Sequence, residues 1–442
     1  MLDSAIVKLT KNLRDTLANT LLVASAFAWY FLAYSILITM TNTCFAEDLI
    51  FIIGVNIAGI AFSAIISTKI FCCLERSTFL LCWMFAGIFV SLLPLVFSTV
   101  NVINVAVNAA FFGIYFGLGM PLVMGYFSAN TKPSNRSTMG GITFLFIGSS
   151  IAILGQIGSE NIIYSCIILA FLKLISLILL YLLKLNDDTL PTQSAVSYRT
   201  VLFNRSFMLY LLSWIMFNLT NYLTVPVLSN FVQGEVLIRL SLMAETIITA
   251  LVAVLVGLLA DKFGRKRILI IGFAFLGIGY AVLGLSQTIL GWLFYICADG
   301  VAWGVFFVLF LFTIWGDLAK NRRGEKFYVI GAIPYLLSNF MRLLLEPYVK
   351  GISKDVLFSY ASIFIFLAVL PLIIAPETLS ENIVKKCELE NYVKAALKKA
   401  QKDSKKEQFS KSQDSEVLDY TQNTAESSTE DEETRRLAEK YY

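Results

Sequence analysis

Long apolar runs and short polar breaks alternate along the whole chain. About twelve runs stand out, at 20–41, 48–67, 78–97, 103–126, 139–157, 161–184, 206–230, 236–258, 268–287, 289–315, 327–346 and 355–375. Each holds about 18 or more mainly apolar residues, enough for a helix to cross a hydrocarbon core of about 30 Å. The pattern predicts an all-α integral membrane protein with twelve transmembrane helices.

The breaks differ in charge, and the difference sets the orientation. Bases fall on one set of segments: Lys8, Lys11 and Arg14, then Lys69 and Arg76, then Lys132 and Arg136. The series continues with Arg199 and Arg205, the four bases Lys262, Arg265, Lys266 and Arg267, and then Lys320, Arg322, Arg323 and Lys326. The alternate breaks at 41–48, 98–101, 158–161, 230–235 and 286–288 carry no Lys or Arg; the last has Lys350 and Lys354. Cytoplasmic loops carry the excess of Lys and Arg. Both termini are therefore expected in the cytoplasm, with the cell membrane as the default location.

These breaks divide the chain. Residues 1–19 form a cytoplasmic N-terminus, 20–184 a first six-helix half, 185–205 a polar cytoplasmic linker and 206–375 a second six-helix half. Residues 376–442 form a cytoplasmic tail. Within it, 381–406 is rich in Lys, Glu, Ala and Leu and predicts an exposed helix. The stretch 410–442 is polar, with an acidic run at 430–433, and has the composition of a disordered segment.

Composition agrees with the pattern. Of 442 residues, 57% are hydrophobic. Soluble domains reach about 45–50% even when Gly is counted. The net charge of +4 lies in loops and tail and forms no compact basic domain, so nucleic-acid binding is not indicated. The absence of His removes the commonest metal ligand and leaves Asp or Glu as the groups for any proton coupling. The seven cysteines form no C-x-x-C pair and lie mostly in or beside apolar runs. They read as buried free thiols, without a zinc site or a disulfide framework. No nucleophile–His pair and no phosphate-cradling G-x-x-x-x-G-K occurs, so neither covalent catalysis nor an ATPase cycle is expected, and no cofactor.

The loop between spans eight and nine reads Gly257-Leu-Leu-Ala-Asp261-Lys-Phe-Gly264-Arg265-Lys266-Arg267. This G-x-L-x-D-x-x-G-R-K-R resembles the loop motif of the major facilitator superfamily, which joins the second and third helices of each six-helix half. Asp317-Leu-Ala-Lys-Asn-Arg322-Arg323-Gly324 resembles the superfamily's D-x-x-x-x-x-R-G loop. The first-half counterparts depart from both patterns. Ser67–Arg76 keeps an Arg alignable with Arg265 but lacks the Asp and both glycines; Ser128–Arg136 keeps only the Arg. Pro376-Glu377-Thr378 resembles the P-E-T after the last helix of sugar porters, whose double glutamine in span seven is missing here.

The resemblance implies two halves that rock about a central site. It implies that Asp261 caps the positive N-terminal end of a neighbouring helix, span eleven by expectation. Arg265 would pair with Asp317, and Gly257, Gly264, Lys266, Arg322 and Arg323 would complete a cytoplasmic gate. A plain positive-inside loop needs only the bases.

Polar groups inside spans are costly in lipid and are the best clues to a site. Asp299, near the middle of span ten and four residues before Trp303, is either a substrate contact or protonatable coupling group, or a hydrogen-bonded structural Asp. Glu245 and Arg239 lie in span eight, and Asn339, Arg342 and Glu346 in span eleven. Arg342 could neutralise Glu245 and Arg239 could pair with Glu346, as helix-packing pairs or as a site for an anionic or zwitterionic solute. Asn218, Asn221 and Tyr222 lie in span seven, which lines the central cavity in the superfamily, as does span ten; interhelical hydrogen bonding explains the asparagines equally well. Tyr30, Tyr34 and Tyr115 read as cavity walls or as packing, and Lys173 in span six as a snorkelling or locally paired Lys.

The expectation is a monomeric secondary transporter of a small polar solute, a symporter coupled to H⁺ through Asp299 or Glu245, or a facilitated-diffusion carrier. A transporter-like receptor or scaffold acting through its tail is the alternative.

Overall fold

The computed structural model describes residues 2–41, 45–70, 75–97, 101–158, 161–185, 196–228, 235–286, 288–320, 322–379 and 435–436. The tail helix, the acidic run and most of the linker expected from the sequence lie outside these residues. The chain forms two compact units, Met1–Ser380 and Glu381–Tyr442, and everything below concerns the first.

Among the described residues twelve helices are long and apolar enough to cross a membrane. Spans one to six are α1 (Leu2–Thr41), α2 (Ala46–Ile70), α3 (Arg76–Val96), α4 (Val102–Asn130), α5 (Arg136–Gly158) and α6 (Ile162–Leu183). A short helix, α7 (Tyr198–Leu202), precedes spans seven to nine: α8 (Arg205–Leu228), α9 (Glu235–Phe263) and α10 (Arg265–Leu285). Span ten is composite. It runs as α11 (Ile289–Phe306), a π-helical stretch Phe307–Thr313 and α12 (Ile314–Ala319). Span eleven is α13 (Glu325–Val349); span twelve is α14 (Lys354–Leu367) continued by α15 (Val369–Ile374).

Two boundaries differ from the expectation. Residues 2–19, expected as the segment before span one, are helical and continuous with α1, with no Gly or Pro to interrupt them. Part of the linker is helical, since Ser197 caps α7 by accepting the amide of Thr200 at 3.1 Å.

The first six spans touch the last six chiefly along two lines, α5 on α9 and α2 on α13. Lipid supplies no hydrophobic drive between helices, so close approach depends on small residues. Large apolar side chains such as Phe62, Phe89, Phe171 and Ile271 face outward, where lipid would solvate them. Among the described residues Cys166 is buried as expected, whereas Cys82 and Cys297 are exposed on that surface; the other four cysteines lie outside the described residues.

Aromatic rings fill the seam between the two sets. Phe312 meets Phe27 and Phe127 edge-on at 5.9 and 5.7 Å. Phe307 stacks on Phe144 at 4.8 Å. Such pairs contribute about 0.5–1.5 kcal/mol each beyond area burial. Phe307 and Phe312 lie in the π-helical stretch, where the wider turn re-aims side chains relative to α11.

Candidate functional site

A charge cluster closes the end of the bundle that carries the motif. α9 ends at Gly264, whose φ of +98° is the left-handed region that glycine tolerates. Asp261, in the last turn of α9, reaches across to α5. Its Oδ1 accepts the amide of Ser137 at 3.2 Å and its Oδ2 that of Thr138 at 2.7 Å. Asp261 therefore caps span five, not span eleven. Contact geometry explains the correction: Gly257, one turn earlier, lets α9 lie directly on α5, and a Cβ there would sit 2.5 Å from the Ser137 carbonyl oxygen. A motif in the second set of spans meets a helix of the first.

Arg265 opens α10 and joins the cluster. Its guanidinium lies 2.9 Å from Asp261 Oδ1 and 3.1 Å from Asp317 Oδ2, and it also donates to the Pro133 carbonyl. Arg136 binds the other oxygen of Asp317 at 2.5 Å. It also donates to the carbonyls of Ser128 (2.8 Å) and Thr131 (3.0 Å). The chain of charges thus runs Asp261–Arg265–Asp317–Arg136 and ties the first set of spans to the last. Arg265 and Asp317 are almost wholly buried, so each depends on its partners.

The P-E-T segment has a place in the same cluster. Glu377 accepts the amides of Arg265 at 3.0 Å and Lys266 at 3.1 Å, capping α10. Lys266 Nζ in turn donates to the carbonyls of Ile373 (2.7 Å) and Ala375 (2.8 Å) at the end of α15. Thr378 Oγ1 donates to Asp317 at 3.3 Å. The sequence offered Glu377 only as part of a three-residue resemblance.

Arg322 and Arg323 do not join. α12 ends at Ala319, and Lys320, with φ of 52°, turns the chain off the face that carries Asp317. Arg322 is exposed, and neither Arg has an acidic partner among the described residues. The first half, in contrast, is not open. Arg76 forms a buried ion pair with Glu325 in the first turn of α13.

Deeper in the bundle lies a cavity of about 440 Å³. Asp299, Trp303, Glu245, Asn221 and Tyr222 all line it, so the structure brings five of the seven expected site residues together. Asp299 Oδ1 accepts from Asn221 at 2.8 Å. Asn221 also donates to the Tyr280 hydroxyl at 3.3 Å, which meets Thr224 at 3.0 Å and Tyr295 at 3.4 Å. Trp303 stacks on Phe307 at 4.8 Å. Glu245 has no hydrogen-bond or basic partner among the described residues. At about 1.5 Å per residue, Asp299 and Asp317 stand roughly 25 Å apart along span ten, with the aromatic seam between them.

Two expected site residues fall elsewhere. Asn218 is fully buried off the cavity wall and donates to its own helix, at the Trp214 carbonyl, at 2.7 Å. Arg342 does not meet Glu245. It lines a neighbouring cavity of about 270 Å³ with Tyr30, Tyr34 and Asn56, because α13 packs on α2 and α8 rather than on α9. Glu346 pairs with Lys350 at 2.6 Å, one turn along its own helix; the side chains of Arg239 and Asn339 lie outside the described residues. Tyr115 packs between Trp83 and Trp29. Lys173 does not snorkel but is held locally, donating to the Ser25 carbonyl at 3.4 Å. Its ammonium lies 4.6 Å over the Trp83 ring and 5.6 Å over Trp29, in a cation–π box.

The wall also contains Trp292, Tyr295 and Tyr335, which sequence reasoning missed. A signal existed for the first two. Trp292, Tyr295, Asp299 and Trp303 recur at helical spacing on one face of span ten. Ser241, Glu245 and Thr249 do the same on α9.

No family profile and no curated protein sequence matches the chain. Solved structures do match. The crystal structure of the human organic anion transporter MFSD10 (TETRAN) superposes with a TM-score of 0.63 at 13% identity, covering 82% of this chain and 99% of that one. The major facilitator superfamily proton:xylose symporter XylE, bound to 6-bromo-6-deoxy-D-glucose, superposes at 0.64 with 16% identity, covering 84% and 97%. The chain has the major facilitator fold.

Proposed function

We propose that the protein is a secondary transporter that moves a small solute across a membrane by alternating access. One observation carries the reading: a cavity lined by the buried Asp299 and the half-buried Glu245 lies deep in the bundle and is sealed at the motif end by the ion pairs Arg136–Asp317 and Arg76–Glu325 between the two sets of spans. Ion pairs make a reversible seal, because each can exchange its partner for water when the helices part. The motif end is the cytoplasmic end by its Lys and Arg, so this is the outward-facing arrangement. Rocking parts Asp317, Asp261 and Arg265 from Arg136, from the Ser137 and Thr138 amides and from the Pro133 carbonyl, and opens the cavity inward. Asp299 and Glu245 are the groups available to couple the movement to protons. Two transporters of different solutes share the fold, which supports transport but names no solute for this chain.

The test is a reversible cross-link. A Cβ at Gly324 would lie 3.0 Å from Ser128 Oγ across the seal. Ser128→Cys with Gly324→Cys, in a background with the native cysteines replaced, should form a disulfide that stops solute uptake into proteoliposomes. Reduction should restore it. Uptake that continues through a complete cross-link would sink the gating reading.

A further inference from the structure

We propose that the cavity selects an organic cation: a small amine or quaternary ammonium with an apolar body. This deepens, and rests on, the transporter reading above.

Among the described residues the wall of the cavity carries two carboxylates, Asp299 and Glu245, and no Lys or Arg. Its neutral polar groups are largely engaged within the protein. Asn221 donates to Asp299 and Tyr280, Thr249 donates to the Gly300 carbonyl at 3.0 Å, and Ser241 accepts from Trp292 at 3.0 Å. A polyol would need several free donors and acceptors and finds few. An anion would meet two acids and no base. A cation meets the reverse: a buried carboxylate, Asp299, and a half-buried one, Glu245, where a charge pair is stronger than in bulk water.

The rings point the same way. Trp292, Tyr295, Trp303, Tyr222, Tyr335 and Phe307 surround the acids. Aromatic faces attract ammonium groups through their quadrupole, and they also shelter an apolar body. Arg342 lies in the neighbouring cavity, which shares the Phe31, Tyr222 and Tyr335 walls. The positive end of a ligand is therefore held at the acid end. A multi-ligand metal ion is a poorer fit, because no group of three metal-ligating side chains occurs among the described residues.

Protons and the cation compete for the same two carboxylates. Among the described residues the other titratable groups around them are the phenols Tyr222 of α8, Tyr280 of α10, Tyr295 of α11 and Tyr335 of α13; α5 contributes Phe144, Gly148 and Ile151. Binding of a permanently charged ammonium should weaken as pH falls and the acids take up protons.

The experiment uses full-length protein in detergent and measures binding of benzyltrimethylammonium, benzyl alcohol and benzoate. The cation should bind about tenfold or more tightly than the alcohol, the factor that one well-placed charge pair supplies, and benzoate most weakly. Glu245→Gln, which loses no hydrogen bond among the described residues, and Asp299→Asn should each erase the preference, and the wild-type preference should shrink at lower pH. Equal binding of cation and alcohol, or a preference untouched by both substitutions, overturns the proposal. Uptake into proteoliposomes separates the two readings. If solutes move without preference for cations, the cation site fails and transport stands. If the cation binds but nothing moves, transport fails and the site stands.

Discussion

The two corners of the motif end solve one problem with different parts. At the α9–α10 corner the acid sits in the loop motif: Asp261 reaches over to cap α5, and Arg265 turns inward to Asp317. At the α2–α3 corner the loop has lost its Asp and its glycines, yet Arg76 still finds a carboxylate. That carboxylate belongs to the helix being approached, Glu325 in the first turn of α13. An acid in a first turn also favours the helix dipole. The electrostatic requirement at a helix N-terminus can thus be met from either side of the interface, so loss of a motif is not loss of a seal. The corners differ in redundancy. Around Asp317 two Arg and a Thr converge, whereas at the other corner the described carboxylate, Glu325, meets Arg76.

This comparison can be broken at the richer corner first. Asp317→Asn leaves Arg136 and Arg265 buried without their shared counter-charge. Removing one partner of a buried pair costs about 3–5 kcal/mol. The variant should show the largest fall in thermal midpoint of any substitution named here, and a midpoint near wild type would mean the cluster is solvated. Next comes the simpler corner. Arg76→Gln should destabilise by about 2–3 kcal/mol because Glu325 is left buried and charged. The double variant Arg76→Gln, Glu325→Gln should recover most of that loss. No recovery would mean that the pair is incidental.

Asp261→Asn is milder. The amide keeps the shape of the cap but loses its charge, at a cost of about 1–2 kcal/mol. The protein should insert normally and transport more slowly in a proteoliposome assay; wild-type rates would remove Asp261 from the gate. Smallest is Arg322→Gln. It should change stability by less than about 0.5 kcal/mol and leave uptake unchanged, since the side chain is exposed and outside the cluster. A large effect there would show that the basic loop acts in a way its geometry does not explain.

The sequence by itself determined the class of fold. Twelve apolar runs, a base-rich set of loops and one well-kept motif specify a major facilitator bundle, because span length and loop charge are local properties. It also marked Asp299 and Glu245, since an acid within a span is costly and therefore conspicuous. Helical spacing on span ten would have added Trp292 and Tyr295.

Partners were a different matter. Whether Asp261 caps span five or span eleven depends on which helices touch, and Gly257 against Ser137 decides that. Arg342 and Glu245 are complementary charges on helices that do not pack together, so charge alone paired them wrongly. Asn218 and Asn221 differ by less than one turn, yet only Asn221 faces the cavity. Glu377 and Glu325 look like ordinary acids at span ends until α10 and Arg76 are placed against them. Periodicity and charge are written along the chain. Which side chain meets which is settled only when helices far apart in sequence are packed.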